Sequence, residues 1–166
     1  MSYDIRPITP ADNAAVAQVI RSVMPEFGAD GPGFAIHDAE VDHMAEAYAA
    51  PRSAYFVVVQ DGQVCGGAGI APLVGREADT CELRKMYFLP ALRGQGAGWA
   101  LMQRCLAYAR SAGFRQCYLE TLTGMDRAAR LYEQAGFQRL PAAWGATGHF
   151  GCNRFSALSL ETPTSS

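Results

Sequence analysis

Six residues near the middle of the chain, Arg93 to Gly98 (RGQGAG), place one arginine and three glycines between a strand-like and a helix-like segment. Glycines let a backbone turn tightly with its N–H groups directed to one point, and the N-terminus of the following helix adds partial positive charge there. Arg93 adds a full positive charge. The run predicts an anion site suited to a diphosphate, although short glycine clusters often make only a turn.

Two common phosphate motifs do not fit this run. A P-loop requires Lys-Ser or Lys-Thr after the glycines, and none follows Gly98. The dinucleotide fingerprint G-x-G-x-x-G would need glycine where Trp99 stands. Glu120 lies at about the distance of a ribose-binding acid, so a nucleotide-dependent oxidoreductase stays as a weaker alternative.

The elements that must position this run alternate between strands and helices. Two β-prone segments flank Asp61-Gly62, a pair typical of a tight hairpin turn. Periodicity and capping residues predict further strands at Tyr3 to Ile8, Cys81 to Phe88, Cys117 to Thr121 and Phe155 to Leu160, and helices from Pro10 to about Met24, Glu40 to Ala49, Gly98 to about Ala112 and Asp126 to Ala135. This order predicts an α/β fold with a mixed sheet and a crossover from the Cys81 strand to the Cys117 strand.

Composition restricts the class of partner. The chain has 166 residues, the size of one domain, and a net charge of -2, which offers no general attraction to nucleic acid or acidic membranes. Its five cysteines are scattered without a C-x-x-C pair, as expected for a reduced, cytoplasmic protein without a disulfide framework. No apolar run predicts a membrane span or a secretory signal. We expect one domain over residues 1–160 and a frayed tail over residues 161–166.

Two segments together resemble the GNAT superfamily of N-acetyltransferases. Arg93 to Gly98 matches its R/Q-x-x-G-x-G/A signature, and Leu83 to Gly98 is similar to its fourth strand, loop and third helix. Downstream, Ala129 to Phe137 lies within a match to its A-x-x-L-Y-x-x-x-G-F segment, with Leu131-Tyr132 and Gly136-Phe137 at the L-Y and G-F positions. The resemblance is close over residues 80–140 and extends to the remainder in element order. It implies a single-domain, mostly antiparallel sheet with a central, splayed parallel strand pair and helices on both faces.

The resemblance implies that acetyl-CoA is the co-substrate. The loop N–H groups would hold its pyrophosphate, and the preceding strand would pair with the pantetheine arm, which carries two amides that an open strand edge can bind. The family often has asparagine where this chain has Asp126. The implied cofactor-binding residues are Met86, Tyr87, Phe88, Arg93, Gly94, Gln95, Gly96, Ala97, Gly98, Asp126 and Ala129.

Catalytic roles follow from the same resemblance. Tyr132 matches the tyrosine that protonates the departing CoA thiolate, and its helical face is otherwise small, with Ala128, Ala129 and Gly136. Because an amine attacks only when neutral, a base is also expected. Glu82 matches a position where many family members carry a catalytic glutamate, and Glu120 is a second candidate; a carboxylate paired with Arg84 is the alternative role of Glu82.

The remaining chemistry-bearing residues carry weaker predictions. His37, His43 and His149 lack metal-ligand spacing, so no metal site is expected, although His149 could border the acceptor pocket. Cys152 is interpreted as a small buried thiol rather than an acyl relay. The acceptor is an amine of a small molecule, peptide or protein, and the chain could be a monomer or homodimer. A non-catalytic CoA-binding sensor of the same fold is the other alternative.

Overall fold

The chain alternates strands and helices in the order that the sequence predicts. The computed structural model describes residues 2–27, 31, 38–121, 126–145 and 152–161. The strands are β1 (Asp4–Pro7), β2 (Ala54–Gln60), β3 (Gln63–Pro72), β4 (Thr80–Phe88), β5 (Gln116–Thr121), β6 (Gln138–Leu140) and β7 (Arg154–Ser159). The α-helices are α1 (Asn13–Val23), α2 (Met44–Ala47), α3 (Ala97–Ser111) and α4 (Asp126–Ala135).

One seven-stranded sheet has the order β1-β2-β3-β4-β5-β7-β6. All neighbouring pairs are antiparallel except β4 and β5, which are parallel and connected through α3. This confirms the predicted mixed, mostly antiparallel sheet with one parallel pair. The β2–β3 hairpin turns at Asp61 and Gly62, whose φ angles of 53° and 76° are the positive values that a primed turn requires.

Helices cover both faces of the sheet. Alternate side chains of β2 separate into two cores, with Phe56 and Val58 on the α3 side and Tyr55 and Val57 on the α1 side. The α3-side core includes Leu101, Met102, Cys105, Leu106 and Ala109 of α3 together with Tyr132 of α4. The α1-side core includes Val16, Ala17, Ile20 and Met44. The predicted helices on both faces are therefore confirmed.

Two local differences separate the structure from the sequence prediction. The helix expected from Glu40 to Ala49 is a 3₁₀ turn over Ala39–Asp42 followed by the single α-turn of α2, because His43 between them is non-helical at φ -137° and ψ 42°. The edge strand β6 was not predicted, since three residues are too short for a periodic signal.

The division into a domain over residues 1–160 and a frayed tail stays a prediction. Among the described residues, no helix combines the length and the apolar character needed to cross a bilayer.

Candidate functional site

The centre of the sheet contains a gap between two parallel strands. Pairing of β4 with β5 covers only Thr80 with Gln116, Cys81 with Cys117 and Glu82 with Tyr118. Beyond Glu82, in the described part of the chain, no strand pairs with the side of β4 that faces β5. The open edge over residues 83–88 presents backbone N–H and C=O groups at which an extended, amide-containing molecule can bind as an added strand.

A β-bulge shapes this edge. Gly67 pairs with Tyr87 and Gly69 pairs with Arg84, so two residues of β4 oppose one residue of β3. Lys85, within the bulge, has a φ of 50°, a left-handed value that is uncommon for a residue with a side chain. The Tyr55 hydroxyl donates a hydrogen bond of 2.8 Å to the Lys85 carbonyl oxygen. This bond from β2, which is separated from β4 by β3, holds the bulge.

Glycines of β3 make room for that tyrosine. A Cβ atom added at Gly67 would lie 2.5 Å from Cε1 of Tyr55, and one added at Gly69 would lie 2.6 Å from its Cδ2. The Tyr55 ring can therefore lie flat across β3 and reach β4 only because both positions lack side chains.

The predicted anion-binding loop begins after the 3₁₀ turn Pro90–Leu92 and ends at the N-terminus of α3. Gly94 and Gly96 have φ angles of 82° and 78°. Within the described residues, the backbone N–H groups of residues 94–98 donate no hydrogen bond to the backbone. A row of unpaired N–H donors at the start of a 15-residue helix suits a phosphate group.

The side chain of Gln95 stiffens this loop. Its Nε2 donates to the carbonyl oxygen of Ala91 at 2.8 Å, and its Oε1 accepts from Nε2 of the buried Gln60 at 2.9 Å. The loop is thereby attached to the end of β2, which reduces the conformational entropy that a ligand would have to remove.

The Arg93 side chain makes its contacts within the protein, whereas the sequence predicted it at the rim of the loop. Its N–H donates to Pro90, and its guanidinium donates to the Phe88 carbonyl oxygen at 2.9 and 3.2 Å. The same group forms an ion pair of 2.9 Å with Glu26. Arg93 therefore braces the end of β4, while the unpaired backbone donors of the loop belong to the five residues that follow it.

Tyr132 lies beside the open edge of β4 on the α3 side of the sheet. Its hydroxyl lies 3.9 Å from Sδ of Met86, and its ring packs edge-on against Phe137 at 5.8 Å. The side chain is buried. Burial, with smaller effects of Cys117 and Cys105, raises the pKa of Tyr132, so the phenol keeps its proton at neutral pH. A protonated hydroxyl at the edge of the gap is suited to proton donation.

The other residues predicted for the cofactor site on α4 are Asp126 and Ala129. Asp126 is the first residue of α4, and its carboxylate lies 3.8 Å from the Arg154 guanidinium with a side chain that is 70% exposed. A carboxylate in the first helical turn favours the helix electrostatically. Ala129 is half-buried. Gly98 lies where α3 meets α4, since an added Cβ would be 3.3 Å from Leu131.

The two carboxylates predicted as bases lie on the opposite, α1 side of the sheet. Glu82 is buried and accepts a hydrogen bond of 2.6 Å from Nε of Arg84. Glu120 is half-buried and accepts a bond of 2.7 Å from the Tyr118 hydroxyl. The structure therefore brings both glutamates to one face of neighbouring strands, and it gives Glu82 the arginine partner that the alternative interpretation expected.

A buried lysine was not predicted as part of this region. The Lys85 side chain is 1% exposed, and its ammonium lies 2.7 Å from Asp38 and 3.3 Å from Glu40. Nearby, the hydroxyl of the buried Tyr48 has no hydrogen-bond partner among the described residues. These groups join the segment before α2 to the bulge of β4. Nothing in the sequence signals this burial, because β4 also contains Glu82 and Arg84 and lysine side chains are mostly exposed.

The remaining predictions concern histidines and cysteines. His43 lies between the 3₁₀ turn and α2, whereas His37 and His149 lie outside the described residues. Within the described ranges, no group of three or more histidine, cysteine, aspartate or glutamate residues could hold a metal ion. Burial first, and then the carboxylates of Glu120 and Glu82, raise the pKa of Cys152 to about 12, so its thiol is protonated rather than activated.

Comparisons with known proteins agree with this geometry. Residues 17–137 match the family model described as the acetyltransferase (GNAT) family. The chain is 46% identical over 149 residues to YjgM, an uncharacterized N-acetyltransferase of Escherichia coli (strain K12), covering 89% of each protein.

Solved structures of low sequence identity share the fold. A GNAT-family acetyltransferase of Staphylococcus aureus Mu50 superimposes with a TM-score of 0.80 at 16% identity, covering 96% of this chain and 100% of that one. The yncA acetyltransferase of Salmonella typhimurium, solved with its cofactor acetyl-CoA, gives a TM-score of 0.77 at 20% identity, covering 99% and 98%.

Proposed function

Because the chain belongs to the GNAT family of acetyltransferases, we propose that it transfers an acetyl group from acetyl-CoA to a primary amine. The acceptor is a small molecule, peptide or protein, and its amine attacks directly in a ternary complex. The observation that carries this proposal is the combination of an open β4 edge, a loop of unpaired N–H donors at one end of that edge, and the Tyr132 hydroxyl beside it.

The residues present fit acetyl-CoA. The N–H groups of Gly94, Gln95, Gly96, Ala97 and Gly98 would hold the pyrophosphate at the start of α3. The β4 edge at Met86, Tyr87 and Phe88 would pair with the two amides of the pantetheine arm, as an added strand would. When bound, acetyl-CoA supplies the activated thioester that the acceptor amine attacks.

Residues on opposite faces of the sheet would then serve the two halves of the reaction. A backbone N–H of the bulged β4 segment near Met86 polarises the carbonyl oxygen. Tyr132, on the α3 side, holds the proton that the departing sulfur needs. Glu82 and Glu120, on the α1 side, are the carboxylates available to accept a proton from the amine. The acceptor accordingly approaches from the α1 side, and holding both reactants in one complex lowers the entropic part of the barrier.

The first test is calorimetric titration with acetyl-CoA, with NAD as the control ligand. We expect acetyl-CoA to bind in the micromolar range and NAD not to bind. Binding of NAD instead would establish the oxidoreductase alternative, and the absence of acetyl-CoA binding would overturn the proposal.

The second test measures turnover as the release of CoA thiol with a panel of primary amines. Tyr132→Phe should lower kcat by about 100-fold while the affinity for acetyl-CoA is retained. The matched control is Tyr108→Phe, which removes a phenol bonded to the Ser53 carbonyl oxygen at 3.0 Å. Tight acetyl-CoA binding without turnover of any amine would favour the sensor alternative.

A further inference from the structure

A short segment crosses the α1 face of the sheet beside the gap. It runs from Pro141, after the edge strand β6, to Gly145. Gly145 packs so closely on the β3–β4 connection that an added Cβ would collide with the carbonyl oxygen of Val74. Since β7 and β5 lie between β6 and β4 in the sheet, this crossing segment, defined as Pro141 to Gly145, passes over both.

Trp144 of the crossing segment fixes one residue of β5. Its indole stacks on the Tyr118 ring with centroids 5.7 Å apart and an interplanar angle of 14°. The guanidinium carbon of Arg76 lies 4.1 Å from the indole centroid. The backbone N–H of Trp144 also donates to the Tyr118 hydroxyl oxygen at 3.1 Å. Stacking on its ring face and a hydrogen bond to its hydroxyl oxygen therefore fix the position of the Tyr118 side chain.

The hydrogen-bond inventory of a phenol determines which way its proton points. A tyrosine hydroxyl has one hydrogen to donate, and its oxygen can also accept. Because Trp144 contributes an N–H, the Tyr118 oxygen is the acceptor in that bond. The hydroxyl hydrogen is then directed to Oε2 of Glu120, 2.7 Å away. The carboxylate is held in one orientation by a donor that is itself fixed.

The two glutamates differ in their position relative to the gap. Glu82 belongs to the last paired position of β4 and β5, is 3% exposed, and is bonded to Arg84 at 2.6 Å. Glu120 lies two residues beyond the last paired residue of β5, Tyr118, where the strands have separated, and it is only half-buried. A molecule in the gap on the α1 side can therefore reach Glu120 more directly than Glu82.

We infer that Glu120 is the base that accepts the proton of the acceptor amine, and that Tyr118 is the positioning residue that orients its carboxylate. This inference rests on the proposed acetyltransferase function and deepens it. Glu82, with its arginine, then supports the strand junction below the gap instead of taking the proton.

The proposed step balances as follows. The neutral amine nitrogen forms a bond to the thioester carbonyl carbon, and its proton passes to Glu120. The carbon–sulfur bond breaks, and the sulfur takes the proton of Tyr132. Glu120 then releases its proton to solvent, and Tyr132 takes a proton from solvent. The amine and acetyl-CoA thus become an amide and CoA without any oxidant or reductant.

The test is a double-mutant cycle on kcat, with the affinity for acetyl-CoA and the acceptor KM measured in parallel. Glu120→Gln should lower kcat by about 100-fold. Tyr118→Phe, which keeps the ring stacked under Trp144, should lower kcat by about tenfold with KM and affinity unchanged. Adding Tyr118→Phe to Glu120→Gln should cause no further loss, because the residue through which Tyr118 acts has already been disabled.

The outcomes separate this inference from the proposed function. Additive losses in the double variant, or an unchanged kcat in Tyr118→Phe, would overturn the positioning role. A kcat that depends on Glu82→Gln but not on Glu120→Gln would assign the base to Glu82 instead. If the unmodified chain neither binds acetyl-CoA nor acetylates any amine, the proposed function fails before the cycle begins. Tyr108→Phe again controls for the loss of a phenol elsewhere.

Discussion

The ammonium group of Lys85 lies 2.7 Å from the carboxylate of Asp38, across 47 residues of sequence, with the lysine side chain 99% inaccessible to solvent. Glu40 adds a second carboxylate at 3.3 Å. Burial of an ammonium is tolerated when carboxylates surround it, and removal of one partner of such a group is costly. The pair therefore connects the segment before α2 to the bulge that shapes the β4 edge.

Lys85→Met tests this connection through stability. We expect the free energy of unfolding to fall by about 3 kcal/mol, because Asp38 and Glu40 would face each other without the ammonium between them. Urea denaturation measures the change. Arg115→Met, at the exposed ion pair with Glu161, should cause a much smaller loss. Equal losses in the two variants would show that the buried ion pairs of Lys85 stabilise the fold no more than an exposed ion pair does.

The loop prediction is tested by two glycines at opposite ends of α3. Gly96 and Gly113 have φ angles of 78° and 86°, and an added Cβ at either position meets nothing within 4 Å. Glutamate therefore introduces similar backbone strain at both. Gly96→Glu should weaken acetyl-CoA binding at least about tenfold in calorimetry, because it places a carboxylate among the phosphate-binding donors. Gly113→Glu should leave the affinity unchanged, and a similar loss in both would point to strain alone.

Substitution of Gly67 tests how the bulge is held. In Gly67→Ala the new methyl group would overlap the Tyr55 ring, so we expect a loss of about 2 kcal/mol in the free energy of unfolding. Displacement of Tyr55 would also release the Lys85 carbonyl oxygen and lower kcat. The control is Gly31→Ala, where an added Cβ meets nothing within 4 Å. Unchanged stability and kcat in Gly67→Ala would contradict this account.

Acid stability depends on an ion pair at the start of the chain. Arg6 donates to both carboxylate oxygens of Asp12, at 2.7 and 2.9 Å, and chiefly these bonds lower the pKa of Asp12 to about 2. Since this value lies below the unfolded one, the stabilisation is present above about pH 4 and is lost as pH falls through about 2. Asp12→Asn should lower the free energy of unfolding by about 2 kcal/mol at pH 7.

The difference between Asp12→Asn and the parent chain should shrink as pH falls from about 4 towards 2, measured by urea denaturation at several pH values. Arg6→Met should weaken the same pH dependence, because Asp12 then loses its principal partner. A difference that stays constant over this range would contradict the role assigned to the ion pair.

Elements with strong local signals could be predicted from the sequence. The Asp61-Gly62 turn, the glycine-rich loop and the helical pattern after Gly98 each depend on residues close together in the chain. The crossover between the Cys81 and Cys117 strands followed from the order of elements, and the resemblance to the GNAT superfamily added the separation of these strands and the open edge. Met86, predicted to bind the cofactor, and Tyr132, predicted as the catalytic acid, come from two separate motifs and lie side by side in the structure.

Features that depend on distant residues could not be predicted. The positive φ of Lys85 is stabilised by Tyr55, 30 residues away, and the charge of Lys85 is balanced by Asp38. Arg93 turns back to the Phe88 carbonyl oxygen and Glu26 instead of facing a ligand. Tyr118 gains its position from Trp144, which a local pattern in β5 does not reveal. In each case tertiary packing decides what the side chain does.

The short junction between β4 and β5 also divides the molecule along its sequence. Strands β1 to β4 come from residues 4–88 and strands β5 to β7 from residues 116–159. Each half of the sheet is therefore formed by one continuous part of the chain. Within the sheet, three residue pairs of β4 and β5 join the two halves in the described part of the chain. A chain cut in the connection between α3 and β5 would thus yield two fragments whose reassembly a small molecule in the gap could strengthen. Two such fragments could therefore serve as a split reporter, in which reassembly signals that the molecule is bound.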